Sequence, residues 1–245
     1  MPIPENSNQE ATSLTIKIRS PYTAKDQDNA KDSEISIGND KSHDNYDETN
    51  ILVITSDGED KENDIRKKRD TVKQMMAHAW KNYEKYAFGG NELNPLSMEP
   101  NNKDIFGKTQ LGLTIVDALD TLYIMGFTEE FKRAQEWTLK KLNFRTVENY
   151  IPVFETNIRF VGGLLSAYAL TGNCKFIQKA EEIAQLLLPA FNTPTGIPNG
   201  LINPKTGRGR NYDWTIDDSA ILAEFGTLHL EFKYLSDITG NPKYR

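Results

Sequence analysis

The residues whose types and spacing could do chemistry cluster in 153–173, VFETNIRFVGGLLSAYALTGN. Glu155, Arg159, Gly162, Gly163 and Ser166 recur at i, i+4, i+7, i+8 and i+11, one stripe of a helix. That stripe sets a carboxylate and a guanidinium one turn apart, beside a bare patch of backbone. Two glycines inside a helix cost about 1 kcal/mol each relative to alanine, so close approach by a neighbouring helix or a ligand is expected there. The same Glu–Arg spacing also fits an ordinary ion pair worth about 0.2–0.5 kcal/mol, and the local pattern leaves both readings open. A second pair of acids, Asp117 and Asp120, lies at i,i+3 in an otherwise apolar run from Leu111 to Met125. Acids on a helix of that kind are costly unless partnered or functional.

Other reactive constellations are missing from the sequence. It contains no glycine-rich phosphate loop, no His-Glu-x-x-His and no Cys/His metal spacing. His78 and His229 stand singly within helical patterns and read as packing or surface residues. Trp80 and Trp137 keep helical spacing and read as core, whereas Trp214 lies in a Gly/Pro-rich loop where a sugar-stacking role is equally open. Cys174 is the only cysteine, so no intrachain disulfide forms.

The elements that must position these residues are helical. Ile65 to Gly89-Gly90 reads as one helix, with the basic cluster Arg66-Lys67-Lys68-Arg69 as its solvated first turn. Leu111 to Met125 reads as a second, and Thr128 to Lys141 as a third with acids first and lysines last, as the helix dipole favours. In the Glu155 helix the buried stripe is expected to be Phe154, Ile158, Val161, Leu165 and Tyr168. Phe176 to Leu188 follows, then a loop over 192–213, then a helix from about Asp218 to Ile238. Thr171-Gly172-Asn173-Cys174-Lys175-Phe176 is echoed 68 residues later by Thr239-Gly240-Asn241-Pro242-Lys243-Tyr244, and more weakly at Met125-Gly126. Each copy closes one helix and opens the next. Repeated helical hairpins without strands imply an all-α solenoid or a closed toroid. By the same pattern a new helix is expected to open near Pro242.

Residues 1–64 are polar and poor in aromatics, the composition of a disordered tail. Net charge is −6 with mixed signs, which gives no sign of a nucleic-acid surface. No apolar run reaches the roughly 20 residues of a membrane helix, and no signal peptide is visible.

The segments IVDALDTLYIMG, FETNIRFVGGLLSAY, LLPAFNTPTGIP and SAILAEFGTLHLEF resemble the glycoside hydrolase family 47 α-mannosidases, most of all their Golgi-type members, over residues 65–245. The resemblance implies an (α/α)7 barrel of helical hairpins, incomplete here, with 65–245 as the N-terminal half of the catalytic domain. It implies removal of terminal α-1,2-linked mannose from Man9-type N-glycans with inversion, and residence in the Golgi or endoplasmic reticulum. Glu155 matches the family's acid catalyst. Arg159, Asp117 and Glu224 match residues lining the mannose pocket. Inversion needs a second carboxyl group to activate water about 6.5–9.5 Å from the acid. The resemblance places that base, and the threonine that anchors the family's calcium, beyond the matched blocks, so this chain alone is expected to be inactive, with no metal ligand of its own. Two other outcomes are open at this point: a non-catalytic glycan-binding or helical interaction protein of the same fold, and a half-barrel that does not fold stably. An arginine one turn from Glu155 also favours the carboxylate, whereas a general acid must hold its proton.

Overall fold

The structure, a computed structural model, describes residues 62–103 and 105–245. The tail expected over 1–64 lies almost wholly outside the described residues. Within them the fold is mostly helical and no closed barrel forms. The helices are α1 (Asn63–Tyr86), α2 (Leu113–Asp117), α3 (Leu119–Ile124), α4 (Thr128–Lys141), α5 (Val153–Glu155), α6 (Gly162–Thr171), α7 (Cys174–Leu187), α8 (Leu222–Phe225) and α9 (His229–Thr239). α3 packs on α4 and α6, α6 on α7 and α9, and α7 on α4 and α9. Alternate helices therefore share a layer: α3, α6 and α9 in one, α4 and α7 in the other. This is the helical-hairpin arrangement that the sequence repeat predicts.

The repeat holds at the level of single bonds. Gly172 and Gly240 both adopt left-handed backbone, φ 73° and 67°, at the ends of α6 and α9. An L side chain rarely takes that conformation, and the residue turns the chain sharply out of the helix. The Asn173 side chain then accepts from Lys175 N at 3.1 Å, and Asn241 from Lys243 N at 3.3 Å. Thr171 and Thr239 each donate to the carbonyl four residues back, at 2.7 and 2.6 Å. The weaker echo is real too, since Gly126 (φ 72°) ends α3 in the same way. After Asn241 the chain opens a tight helical turn over Pro242–Tyr244.

Four expectations need correction. Leu111–Met125 is not one helix but two, α2 and α3, meeting at Ala118 (φ −98°, ψ −4°). The last helix does not begin at Asp218, because Asp217 and Asp218 hold positive φ (51° and 56°), which no helix propagates. α8 is instead a single turn, separated from α9 by Gly226–Leu228. The fold is also not free of strands. Short β1 (Glu92–Asn94) and β2 (Glu99–Asn101) form a hairpin, and β3 (Ile151–Pro152), β4 (Leu201–Ile202) and β5 (Gly209–Arg210) form a three-stranded antiparallel patch. These runs are too short for period-two patterning to register. Finally, Phe154 and Ile158 are only half-buried, while Phe160, left out of the expected stripe, is fully buried. Residues Thr156–Val161 form a π-turn, which holds more residues per turn than an α-helix and so shifts the phase of the buried face.

A single core joins the layers, built on Phe106, Phe131, Phe160, Phe176, Leu119 and Leu164. Trp80 belongs to it, 3% exposed, as expected. Trp137 packs against it and lies over Gly89 and Gly112. His78 and His229 are surface residues.

Candidate active site

Every acid singled out in the sequence sits on a helix of one layer or on a turn attached to it. Asp117 ends α2, Asp120 begins α3, Glu155 ends α5, and Glu224 lies in α8. Three of the expected site residues meet directly. Arg159 Nε donates to Glu155 Oε2 at 2.5 Å, and Arg159 Nη1 donates to Asp117 Oδ2 at 2.9 Å. One guanidinium thus ties the π-turn to α2, using two faces of its planar fork. The cluster stays open to water, with Arg159, Asp117 and Glu155 side chains 36%, 43% and 26% exposed. Asp120 is partnered as well, accepting from Ser166 Oγ at 2.9 Å. The second stripe of the Glu155 helix therefore engages both acids of the neighbouring helices.

The two glycines of that stripe differ. A Cβ on Gly163 would lie 2.9 Å from the Val116 carbonyl oxygen, so α2 and α6 meet backbone to backbone there. A Cβ on Gly162 would meet Glu231 Cγ at 3.5 Å, ordinary contact. The neighbouring-helix explanation for the bare patch holds at Gly163 and is not needed at Gly162.

Glu224 reaches the cluster by another route. The β3–β4–β5 patch folds the Pro/Gly-rich loop back on the start of α5, where Val153 N donates to the Gly200 carbonyl at 2.9 Å. Gly200 in turn lies under Tyr212 and Glu224, since a Cβ there would sit 2.7 Å from Tyr212 Cε2 and 3.4 Å from Glu224 Oε2. Glu224 Oε2 is buried with no hydrogen-bond partner among the described residues. Burial pushes the Glu224 carboxyl above its ordinary range; the Tyr212 phenol opposes this and the charge of Glu155 adds to it. Burial also raises Asp117, against the pull of Arg159, with Asp120 and Glu155 adding to the rise. Tyr212 is raised chiefly by burial and then by Glu224. Two carboxyl groups that hold their protons more tightly than usual thus flank a Glu–Arg pair. Carboxyl groups perturbed in this way occur at functional sites and in structural ion-pair networks alike.

Trp214 is 71% exposed and stacks on Tyr212, centroids 5.2 Å apart and planes at 29°. An open aromatic face therefore lies against Tyr212, the neighbour of Glu224, and a pyranose can lie against such a face.

Three residues of this neighbourhood escaped the sequence reading: Tyr212, Asn157 and Glu231. Asn157 Nδ2 donates to Glu231 Oε2 at 2.8 Å, linking the π-turn to α9. A signal for Glu231 was present, since it follows Glu224 by seven residues and shares its stripe on any helix drawn through both.

Glycosyl hydrolase family 47 matches over residues 75–245. The chain belongs to this family. The family 47 relatives include mannosyl-oligosaccharide α-1,2-mannosidase IA of Drosophila melanogaster, 48% identical over 228 residues, covering 92% of this chain and 32% of the relative. Mannosyl-oligosaccharide 1,2-α-mannosidase IB of Homo sapiens is 53% identical over 193 residues, 79% of this chain and 30% of the relative. Among solved structures, an α-1,2-mannosidase from Trichoderma reesei superposes with a TM-score of 0.60 at 31% identity, covering 71% of this chain and 37% of that one. The chain thus spans about a third of the length of these family 47 relatives. Among the described residues, no group of three or more His, Cys, Asp or Glu is arranged to hold a cation.

Proposed function

We propose that this chain carries the proton-donor side of an α-1,2-mannosidase site acting on terminal α-1,2-linked mannose of high-mannose N-glycans. Glu155 is the general acid. Arg159 and Asp117 hold the sugar beside it, Glu224 lines the adjoining wall, and Trp214 offers a stacking face. The observation that supports this most is the Glu155–Arg159–Asp117 relay, which joins two helices of one layer at an open surface. Residues 65–245 act as the N-terminal part of the catalytic domain.

Reaction with inversion places water opposite the acid, activated by a second carboxylate. That second carboxylate is not among Asp117, Asp120 and Glu224, which serve the sugar pocket and its walls. The 245-residue chain by itself is expected to bind substrate without cleaving it. A secretory-pathway compartment, Golgi or endoplasmic reticulum, follows from the substrate; no described helix is long and apolar enough to cross a membrane.

Calorimetric titration separates this reading from a general carbohydrate surface. The chain is expected to bind α-1,2-mannobiose in preference to α-1,6-mannobiose, and Arg159→Ala should abolish the preference. Equal affinity for the two sugars, or no saturable binding of either, would refute the assignment.

A further inference from the structure

Asn157 lies two residues from both Glu155 and Arg159, so it projects from the far side of the helix, roughly 200° around at 3.6 residues per turn. It is completely buried. Its Nδ2 donates to Glu231 Oε2 at 2.8 Å and to the Leu228 carbonyl at 3.4 Å, both acceptors flanking the start of α9. The backbone around it is the π-turn, a register in which the stretch before it is not held by ordinary α-helical repeat. Sliding such a turn by one residue would swing everything N-terminal to it by about 100°. Glu155 is the last residue before the turn.

The Val153 N–Gly200 carbonyl bond and the β3–β4 pairing hold the chain ahead of Glu155 to the loop patch, but neither reaches the π-turn itself. Thr156 Oγ1 donates to the Pro152 carbonyl at 2.6 Å, and both groups lie at the start of the same helix and move with it. The Arg159–Asp117 bond does reach another element, but between side chains more than one-third exposed, where water competes. Among the described residues, the Asn157 amide is the buried polar tie from the π-turn to a separate helix.

We propose that Asn157 is a positioning residue: anchored on Glu231, it fixes the rotation at which Glu155 and Arg159 face the cleft. Its importance for catalysis rests on the mannosidase reading, but its test does not. The reporter is the Arg159 Nε–H in a nitrogen–proton correlation spectrum of the 245-residue chain, assigned by its disappearance in Arg159→Lys. Bonded to Glu155 at 2.5 Å, that signal is expected away from the crowded position of free arginines. Asn157→Ala should return it to that position by more than a linewidth, and Glu231→Ala should do the same. Glu231→Gln, which keeps an oxygen acceptor for Nδ2, should preserve it. Should Asn157→Ala fail to fold by circular dichroism, Glu231→Ala, on the half-buried partner, decides. An Arg159 signal unmoved by Glu231→Ala, or lost equally in Glu231→Gln, overturns the proposal. Absence of mannobiose binding with the Arg159 signal still responsive to these variants would refute the function and leave the positioning role standing.

Discussion

At the scale of single residues, the site is an acidic cluster held by one cation. Asp117 and Glu224 are raised by burial, and that fixes a sign. A carboxyl whose folded pKa exceeds its unfolded value favours the folded state most when protonated. Its contribution is complete below the unfolded value, near pH 4, and is lost as pH rises through the folded one. The melting temperature should therefore decline from mildly acidic pH toward neutrality, and Asp117→Asn with Glu224→Gln should flatten that decline. A double variant with the same slope as wild type would contradict the burial account. Arg159→Ala acts the opposite way to these neutralisations. It leaves two neighbouring carboxylates without their cation and should lower the melting temperature at pH 7 more than at pH 4. How much of this was legible in sequence is uneven. The Glu155–Arg159 spacing is visible in any helical projection, and the acids of the second helix announce themselves by their cost in an apolar run. Their connection through one guanidinium is not visible, because 42 residues separate Arg159 from Asp117. Tyr212 and Asn157 carried no signal, being a loop tyrosine and one asparagine among many.

At the scale of elements, the two adjacent glycines provide a paired test. Gly163→Ala drives a methyl to within 2.9 Å of the Val116 carbonyl, a backbone atom that moves only with α2. It should destabilise by about 1–3 kcal/mol, the usual cost of overpacking. Gly162→Ala meets only ordinary contacts and removes backbone freedom from the unfolded chain, so it should be neutral or stabilising by up to about 1 kcal/mol. Urea titration of both variants gives the comparison, and equal losses would mean that the helices do not approach as described. The repeated helix stops were readable because each uses a glycine, an asparagine and a threonine with a fixed mechanical role. Asn173→Ala should accordingly cost about 1 kcal/mol as a lost cap. The π-turn was not readable. A periodicity of 3.6 fits either side of it without revealing the extra residue. The start of the last helix failed for a similar reason. Two aspartates in left-handed backbone look in sequence like acidic residues of a first turn.

At the scale of the whole molecule, the helical hairpins form two layers that do not close among the described residues. The layer that bears the acids keeps apolar residues in water, with Ile124, Leu222 and Leu230 at 59%, 72% and 62% exposure. Exposed apolar surface of this kind is ordinarily covered in a working protein. The 245-residue chain should bind a hydrophobic fluorescent dye in its native state, and a dye-silent, monodisperse monomer would count against this. The hairpin repeat made the helical class and the layering accessible from sequence alone, whereas closure depends on contacts beyond any local pattern. Holding the sugar and breaking its bond are separate tasks, and the most direct measurement is release of mannose from a Man9 oligosaccharide by the purified 245-residue chain. No free mannose is predicted, with or without added calcium. Turnover that a chelator and Glu155→Gln both abolish would show a complete cleaving centre within these residues and contradict it.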